Sequence, residues 1–512
     1  RRRQVKIAFL PLDERPVTRD AFLTLAAIAG AETVTPPREQ LGSLKRPADV
    51  EAMWAWLEGP GADSELVIAS AELPVYGGLV PSRVGREPLD RCLALAARWA
   101  EVRRAAPRRR VYLSASNLRL PNSADATEEP DYWVEYGPQI FALSFHEDRY
   151  EATGDPASRE RAAAAAAAVP AGVLADARWR RERNLAVLLR LVDLAGAEVF
   201  DGLLIGQDDA AEYGWTRRDL RAVAAAVEAR GAASRAWVTY GTDELTARLL
   251  ARAVVSGRRD HPAVQVMYSA PAHRGVIPRY EGQALDLTVT SHIVTAGCRR
   301  VEASPDLALF VHNSPGDQLE APEQQPYPPA ELDGFWAALA GVAASGVPCA
   351  LADVRYSNGA DRTLVARLLA APRASGVSAY GGWNTMSNAL GMALAQVLVS
   401  TRPAGGGTGA AASERANREF TVLRLLDDWG YQANVRQRLA REVLPHYPGA
   451  GSSDIGPAYG ACAEAARRWL QETCVPPVAA SFGVPIEVGP VGFPWNRLFH
   501  VALDLRVGAP AS

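Results

Sequence analysis

Nine short apolar runs recur between residues 5 and 380, and almost every one ends in polar side chains. They are Val5–Leu12, Leu66–Ala71, Val111–Ala115, Leu203–Ile205, Ala236–Tyr240, Val264–Tyr268, Leu307–Val311, Cys349–Ala352 and Val377–Tyr380. Unbroken apolar runs suit parallel strands buried on both faces. Stretches with helical spacing alternate with them, such as Thr18–Ala29 and Leu89–Arg104. Strand, polar end and helix in repeated order predict a parallel α/β fold. Sites in such folds are built at the carboxyl ends of the strands.

A ring of strands sharing one site accounts for so many polar ends. The expectation is therefore a modified (β/α)8 TIM-like barrel over residues 1–400, with an α+β extension over 401–512. Nine candidates for eight barrel places leave an alternative, a two-lobed doubly wound α/β protein split near Gly257. Residues 121–175 interrupt the rhythm after the third strand, where an insertion is well placed to cover a site. The glycine-rich stretch Thr401–Ala412 reads as a linker or loop. Helices are expected over Glu414–Val443 and Tyr459–Thr473, and a small β unit over Phe482–Val507.

The chain centres on Phe200–Gly214, where Leu203-Leu-Ile205 runs through Gly206 into Asp208-Asp209. Neighbouring carboxylates at a strand end repel, so one keeps its proton nearer to neutral pH. Gly206 makes a turn or bulge just before the pair plausible. Asp208 and Asp209 are the expected catalytic residues. The other strand ends contribute Asp13, Glu14, Arg15, Glu72, Tyr76, Asn117, Tyr213, Asp243, Asn313, Asp353, Arg355, Asn358, Trp383, Asn384 and Asn388 as expected substrate contacts. Acids, amides and an aromatic platform suit a polyhydroxylated ligand, and two carboxyl groups can cleave a glycosidic bond. Plainer uses compete. Asp243-Glu244 can cap the helix that follows, Asp13-Glu14-Arg15 can form structural ion pairs, and His312 or Trp383 can belong to the core.

Other chemistries find less support. The seven His show no His-x-His or His-Glu-x-x-His spacing, so no metal site is expected, although carboxylates alone can hold magnesium. Gly-x-Ser-x-Gly, the phosphate-binding loop and the dinucleotide fingerprint are all missing, so no cofactor is expected. A net charge of -3 gives no reason to expect nucleic acid. Five scattered Cys with no Cys-x-x-Cys read as small core residues. No run is long enough to span a membrane, and a cytoplasmic location is the default expectation.

Longer motifs add a resemblance. Leu10-Pro-Leu-Asp-Glu-Arg-Pro16, Asp353-Val-Arg-Tyr-Ser-Asn-Gly-Ala-Asp361, Gly381-Gly-Trp-Asn-Thr-Met-Ser-Asn-Ala-Leu-Gly391 and Pro494-Trp-Asn-Arg497 resemble the bacterial domain-of-unknown-function 4127 family. That resemblance spans nearly the whole chain and implies no activity. Locally, Asp208-Asp209 is similar to the Asp pair of N-acetylglucosaminidases that use substrate assistance. Trp383-Asn384 with Asn388 is loosely similar to a sugar-binding loop there. This implies a glycoside hydrolase with Asp209 as general acid and Asp208 orienting the reacting centre, acting on a glycoside or an oligosaccharide. A non-catalytic sugar-binding protein and a magnesium-dependent hydrolase are the alternatives.

Overall fold

The computed structural model describes residues 4–257, 261–371, 376–401 and 408–509. Half of the expected linker, residues 402–407, lies outside the described residues, and residues 408–412 are not a linker, because the helix Thr408–Arg424 begins there. The chain forms two compact units. The first gathers the chain up to Glu14, Ala31–Leu249 and Tyr280–Gln283. The second gathers Arg15–Gly30, Leu250–Arg279 and the chain from Ala284 onward.

The first unit holds β1 (Lys6–Leu10), β2 (Glu32–Val34), β3 (Leu66–Ser70), β4 (Arg110–Asn117), β5 (Gly202–Gln207) and β6 (Ala236–Tyr240). They form one parallel sheet in the order β2-β1-β3-β4-β5-β6. Every residue of β3 and β5 is buried, as their unbroken apolar sequence requires. Helices supply the other half of the core. In Val50–Glu58, Asp49 caps the first turn by accepting the Glu51 and Ala52 N–H groups. That helix buries Met53, Trp54 and Leu57. Trp54 meets Trp99 edge-on at 5.1 Å, and Trp99 meets Phe200 at 6.2 Å.

The second unit holds β7 (Ala263–Tyr268), β8 (Arg299–Val301), β9 (Leu307–Asn313), β10 (Leu319–Glu320), β11 (Cys349–Val354), β12 (Tyr356–Ser357), β13 (Val377–Gly381), β14 (Ile486–Gly492) and β15 (Ala502–Val507). Its main sheet is also parallel, in the order β13-β11-β9-β7-β8. β10 and β12 make a short parallel pair, and β14 and β15 an antiparallel hairpin. Phe310, Leu351, Val422, Tyr431, Trp469 and Val488 lie in one core, so the C-terminal helices and hairpin pack with the second sheet.

The expected barrel is not formed, because the strands make two open sheets. The physical reason is strand order. A (β/α)8 barrel places each strand beside its predecessor until the ring closes. Here β1 lies between β2 and β3, and β7 lies between β8 and β9, so each sheet grows outward both ways from its first strand. Numbered from its own first strand, the second sheet reads 2-1-3-4-5, matching the first five strands of the first sheet. This is the doubly wound arrangement, with a switch point between β1 and β3 and another between β7 and β9. The two small strands that set this order, Glu32-Thr-Val34 and Arg299-Arg-Val301, carry no apolar run.

Local expectations fare unevenly. The helix expected over Leu89–Arg104 is two pieces, Leu89–Ala97 and Trp99–Ala105. The interrupting segment holds a long helix, Trp133–Thr153, that its mixed polar and aromatic sequence did not announce. Glu72–Tyr76, read as a polar strand end, is a short helix. Gly206 is not a turn or bulge but an ordinary member of β5, in register with Ser116 and Thr239. Its lack of a side chain has another cause, since a Cβ there would stand 2.1 Å from the Gly241 carbonyl oxygen. Gly206→Ala is therefore expected to destabilise the protein by about 1–3 kcal/mol through overpacking. Denaturant unfolding checks this, and an unchanged midpoint would refute it. All five Cys are free and buried. Among the described residues, no helix is long and apolar enough to cross a membrane.

Candidate functional site

In the first unit the carboxyl ends of β4 and β5 carry a cluster of ionised groups. Asp208 and Asp209 follow β5 directly, and Arg119 lies two residues past β4. Arg83 comes from the helix Leu79–Val84, and Glu128 and Glu129 come from the segment after β4. Arg83 bridges Asp208 and Glu128, each at 2.6 Å. Arg119 binds Glu129 at 2.7 Å and Asp209 at 3.0 Å, with Glu128 at 3.4 Å. Four carboxyl groups thus face two guanidinium groups.

The two arginines are held by a layer behind them. Arg183 on the helix Ala171–Gly196 donates to the carbonyls of Ser82 at 2.6 Å and Gly85 at 2.8 Å. Arg180 on the same helix donates to Gly85 at 2.7 Å, so the backbone on both sides of Arg83 is tied down. Arg181 does the same beside Arg119, donating to the Leu118 carbonyl at 2.7 Å.

The adjacent aspartates differ. Asp208 Oδ2 takes Arg83, and Oδ1 accepts the Asp209 N–H at 2.9 Å, so both oxygens are engaged. Asp209 gives Oδ2 to Arg119, while Oδ1 accepts no hydrogen bond among the described residues. The Asp209 side chain is 25% exposed, against 12% for Asp208. Burial, and then the Asp208 charge, push Asp209 up to about 7, against the pull of Arg119 and Arg83. Burial also raises Glu129, against Arg119. For Arg119 burial works against the charge, but the four carboxyl groups outweigh it and its pKa stays well above the ordinary value.

The other expected contacts of this unit have structural bonds. Glu72 is buried, accepts the Ser70 hydroxyl and takes the Ser116 N–H at 2.5 Å. Burial raises its pKa despite both bonds. The Tyr76 ring lies under the Arg183 guanidinium at 5.1 Å. Asn117 donates to the Thr216 carbonyl at 2.7 Å. Tyr213 packs edge-on against Phe145 at 5.6 Å. Asp13 and Asp243 are buried, and the Glu14 carbonyl accepts from Arg38.

The second unit gathers the remaining candidates, Arg15, Asn313, Asp353, Arg355, Asn358, Trp383, Asn384 and Asn388. Asp353 is buried in β11, accepts the Asp361 N–H at 2.7 Å, and has no hydrogen-bond partner for Oδ1 among the described residues. Burial, and then Asp361, hold its pKa far above the carboxylate range. Arg355 stacks on Tyr327 at 3.8 Å. Asn313 bonds to both backbone groups of Ala270, at 3.0 Å each. Asn388 donates its N–H to the Thr385 hydroxyl at the start of a helix. Trp383 packs on Phe499 at 5.4 Å and on His500 at 5.7 Å. Arg15 and Arg497 both stack on Trp495, at 4.5 and 4.8 Å.

Several residues of this unit have left-handed backbone. Asn358, Asn384, Trp495 and Asn496 have φ of 62°, 67°, 59° and 54°. Asn tolerates this region, whereas a bulky Trp is an outlier there. The Asn358 N–H donates to the Asn384 carbonyl at 2.9 Å, joining two of these turns. Nearby in sequence, Leu425–Val435 is a π-helix carrying a second aspartate pair, Asp427-Asp428. Asp428 accepts the Gly382 N–H at 2.8 Å, and burial, with Asp427 beside it, pushes it up to about 7 against Arg424.

Sequence reasoning missed Arg83, Glu128, Glu129 and Asp428 as site residues. The two adjacent acidic pairs were a usable signal, the same one that singled out Asp208-Asp209. Nothing in the sequence marks Arg83. No curated protein and no solved structure gives a significant match to the chain. A family model described as protein of unknown function (DUF4127) matches residues 7–504, and the chain belongs to this family.

Proposed function

We propose that this protein is a glycoside hydrolase in which Asp209 is the general acid. One observation carries the reading. Asp209 combines a pKa of about 7, a partly exposed side chain and a carboxyl oxygen that accepts no hydrogen bond among the described residues. A protonated carboxyl of this kind can donate to the leaving glycosidic oxygen as the anomeric C–O bond breaks. Asp208 sits between Arg83 and the Asp209 N–H, and its charge helps to raise the Asp209 pKa.

The same geometry bears on the substrate. With both Asp208 oxygens engaged, the pair offers no free carboxylate to attack the anomeric carbon. A substrate that brings its own nucleophile fits best, and an N-acetylhexosaminide does so through its acetamido oxygen. The spare lone pairs of Asp208 can accept the acetamido N–H and orient that group.

A panel of nitrophenyl glycosides tests this. Release is expected from N-acetylhexosaminides, with little from the matching unacetylated sugars, and it should persist in EDTA. Sugar binding without turnover on any member would favour the second reading, a non-catalytic sugar-binding protein. The ion pairs that engage all four carboxyl groups of the cluster speak for that alternative.

A further inference from the structure

The second sheet reverses its order between β7 and β9, and doubly wound sheets bind ligands in the crevice at such a point. Ser269 follows β7 directly, and β9 ends in His312-Asn313. His312 Nδ1 lies 2.9 Å from Ser269 Oγ, and Nε2 lies 2.9 Å from Asp361 Oδ2. These three side chains are far apart in sequence and meet in one line.

The surrounding hydrogen bonds fix the protons. Asp361 Oδ1 accepts the N–H groups of Thr363 and Leu364, and Oδ2 accepts the Tyr327 hydroxyl at 2.7 Å. Burial alone would raise this carboxyl, but the bonds from His312 and Tyr327 outweigh it and hold it below the usual range. Asp361 is therefore a carboxylate and only accepts, so His312 Nε2 carries a proton. Burial, opposed by Asp361, keeps His312 below its ordinary pKa, so the ring is neutral and Nδ1 bears a lone pair. Ser269 Oγ accepts the Asn313 N–H at 3.0 Å, and of the acceptors for its own proton His312 Nδ1 at 2.9 Å is nearer than the Asn313 carbonyl at 3.3 Å or Oδ1 at 3.5 Å. Nucleophile, base and orienting acid each stand in the required state.

We propose that Ser269 is a nucleophile with His312 as its general base and Asp361 as a positioning residue, forming a second site for small acyl esters. His312 and Asp361 are buried, whereas Ser269 is half-buried and can meet a ligand. Asn313, bonded to Ser269, also borders a small cavity of about 20 Å³ with both polar and apolar walls, among them His273, Gln318, Val276 and Leu285. With an acetyl ester, a simple member of this substrate class, Ser269 Oγ bonds to the acyl carbon while its proton passes to His312 Nδ1. The ester C–O bond then breaks and the same proton leaves with the alcohol. Water, deprotonated by His312, releases acetate and restores Ser269. Nothing in this step depends on Asp209.

A fluorophosphonate probe on the folded protein tests the proposal, with the adduct mapped by peptide mass. One adduct on Ser269 is expected, together with hydrolysis of 4-nitrophenyl acetate that Ser269→Ala abolishes. His312→Gln should slow labelling at least tenfold. Asp361→Asn keeps an acceptor for the helix cap and should slow labelling with little change in melting temperature. Folded wild-type protein that gives no adduct on Ser269 overturns the proposal, whether or not the His312 variant folds. Labelling of folded His312→Gln or Asp361→Asn at the wild-type rate overturns the roles of those residues.

Discussion

Asp209→Asn is expected to cut turnover of an unactivated N-acetylhexosaminide by about 10²-fold or more, the usual contribution of a positioned general acid. The substitution keeps the size and the Arg119 contact but removes the dissociable proton. On a nitrophenyl glycoside the loss should be much smaller, because that leaving group needs little protonation. Asp208→Asn should impair both substrates, since Asp208 both raises the Asp209 pKa and is placed to orient the acetamido group. Steady-state rates on the two substrate types separate these outcomes. Wild-type turnover of the unactivated substrate by Asp209→Asn would refute the assignment.

The pH profile follows from the same carboxyl. Asp209 must be protonated to act, and its pKa is about 7, so kcat/KM should fall as pH rises through that value. The limb should vanish in Asp209→Asn. Stability carries the same sign. The folded pKa lies above the unfolded value near 3.9, so the folded state binds the extra proton between these values. The contribution is fully present below about pH 4 and is lost as pH rises through 7. Asp428, also pushed up to about 7, acts in the same direction. Melting temperatures of wild type and Asp209→Asn at pH 5.5 and 8 check this, and the wild type should lose more on going alkaline.

How much of this was legible depends on what each feature needs from the sequence. A strand buried on both faces needs an apolar run, and β3, β5 and β11 were visible for that reason. Strand order needs something else. It was decided by β2 and β8, three-residue edge strands with exposed or half-exposed residues and no apolar pattern. Without them the remaining strands could be laid round a ring, and the barrel followed. The site divides in the same way. Asp208-Asp209 was legible because two adjacent acids at a strand end repel. Arg83, which meets Asp208 across 125 positions of sequence, leaves no local trace. Ser269 was hidden in a similar way, since its chemistry comes from His312 and Asp361 on other elements.

Arg83→Met is expected to cost about 3–5 kcal/mol, the range for breaking a buried ion pair from one side. That is a large part of the total stability of an ordinary domain. The argument rests on burial and on count. Arg83 is 3% exposed and binds Asp208 and Glu128 at 2.6 Å each. Its removal leaves four carboxyl groups to Arg119 alone. They would respond by holding protons, so their folded pKa values rise and the variant recovers part of its loss as pH falls. The gap between wild type and Arg83→Met should therefore be smaller at pH 5 than at pH 7.5. Arg83→Lys keeps the charge but cannot offer two separate nitrogens to two carboxylates, so it should fall between them. Adding Asp208→Asn to Arg83→Met removes one of the stranded charges and should restore stability, a positive coupling of the kind contacting residues show. Denaturant unfolding of wild type, the three single variants and the double variant at both pH values measures all of this. Additive losses in the double variant, or an Arg83→Met protein as stable as wild type, would mean that the cluster is not held together by its charges.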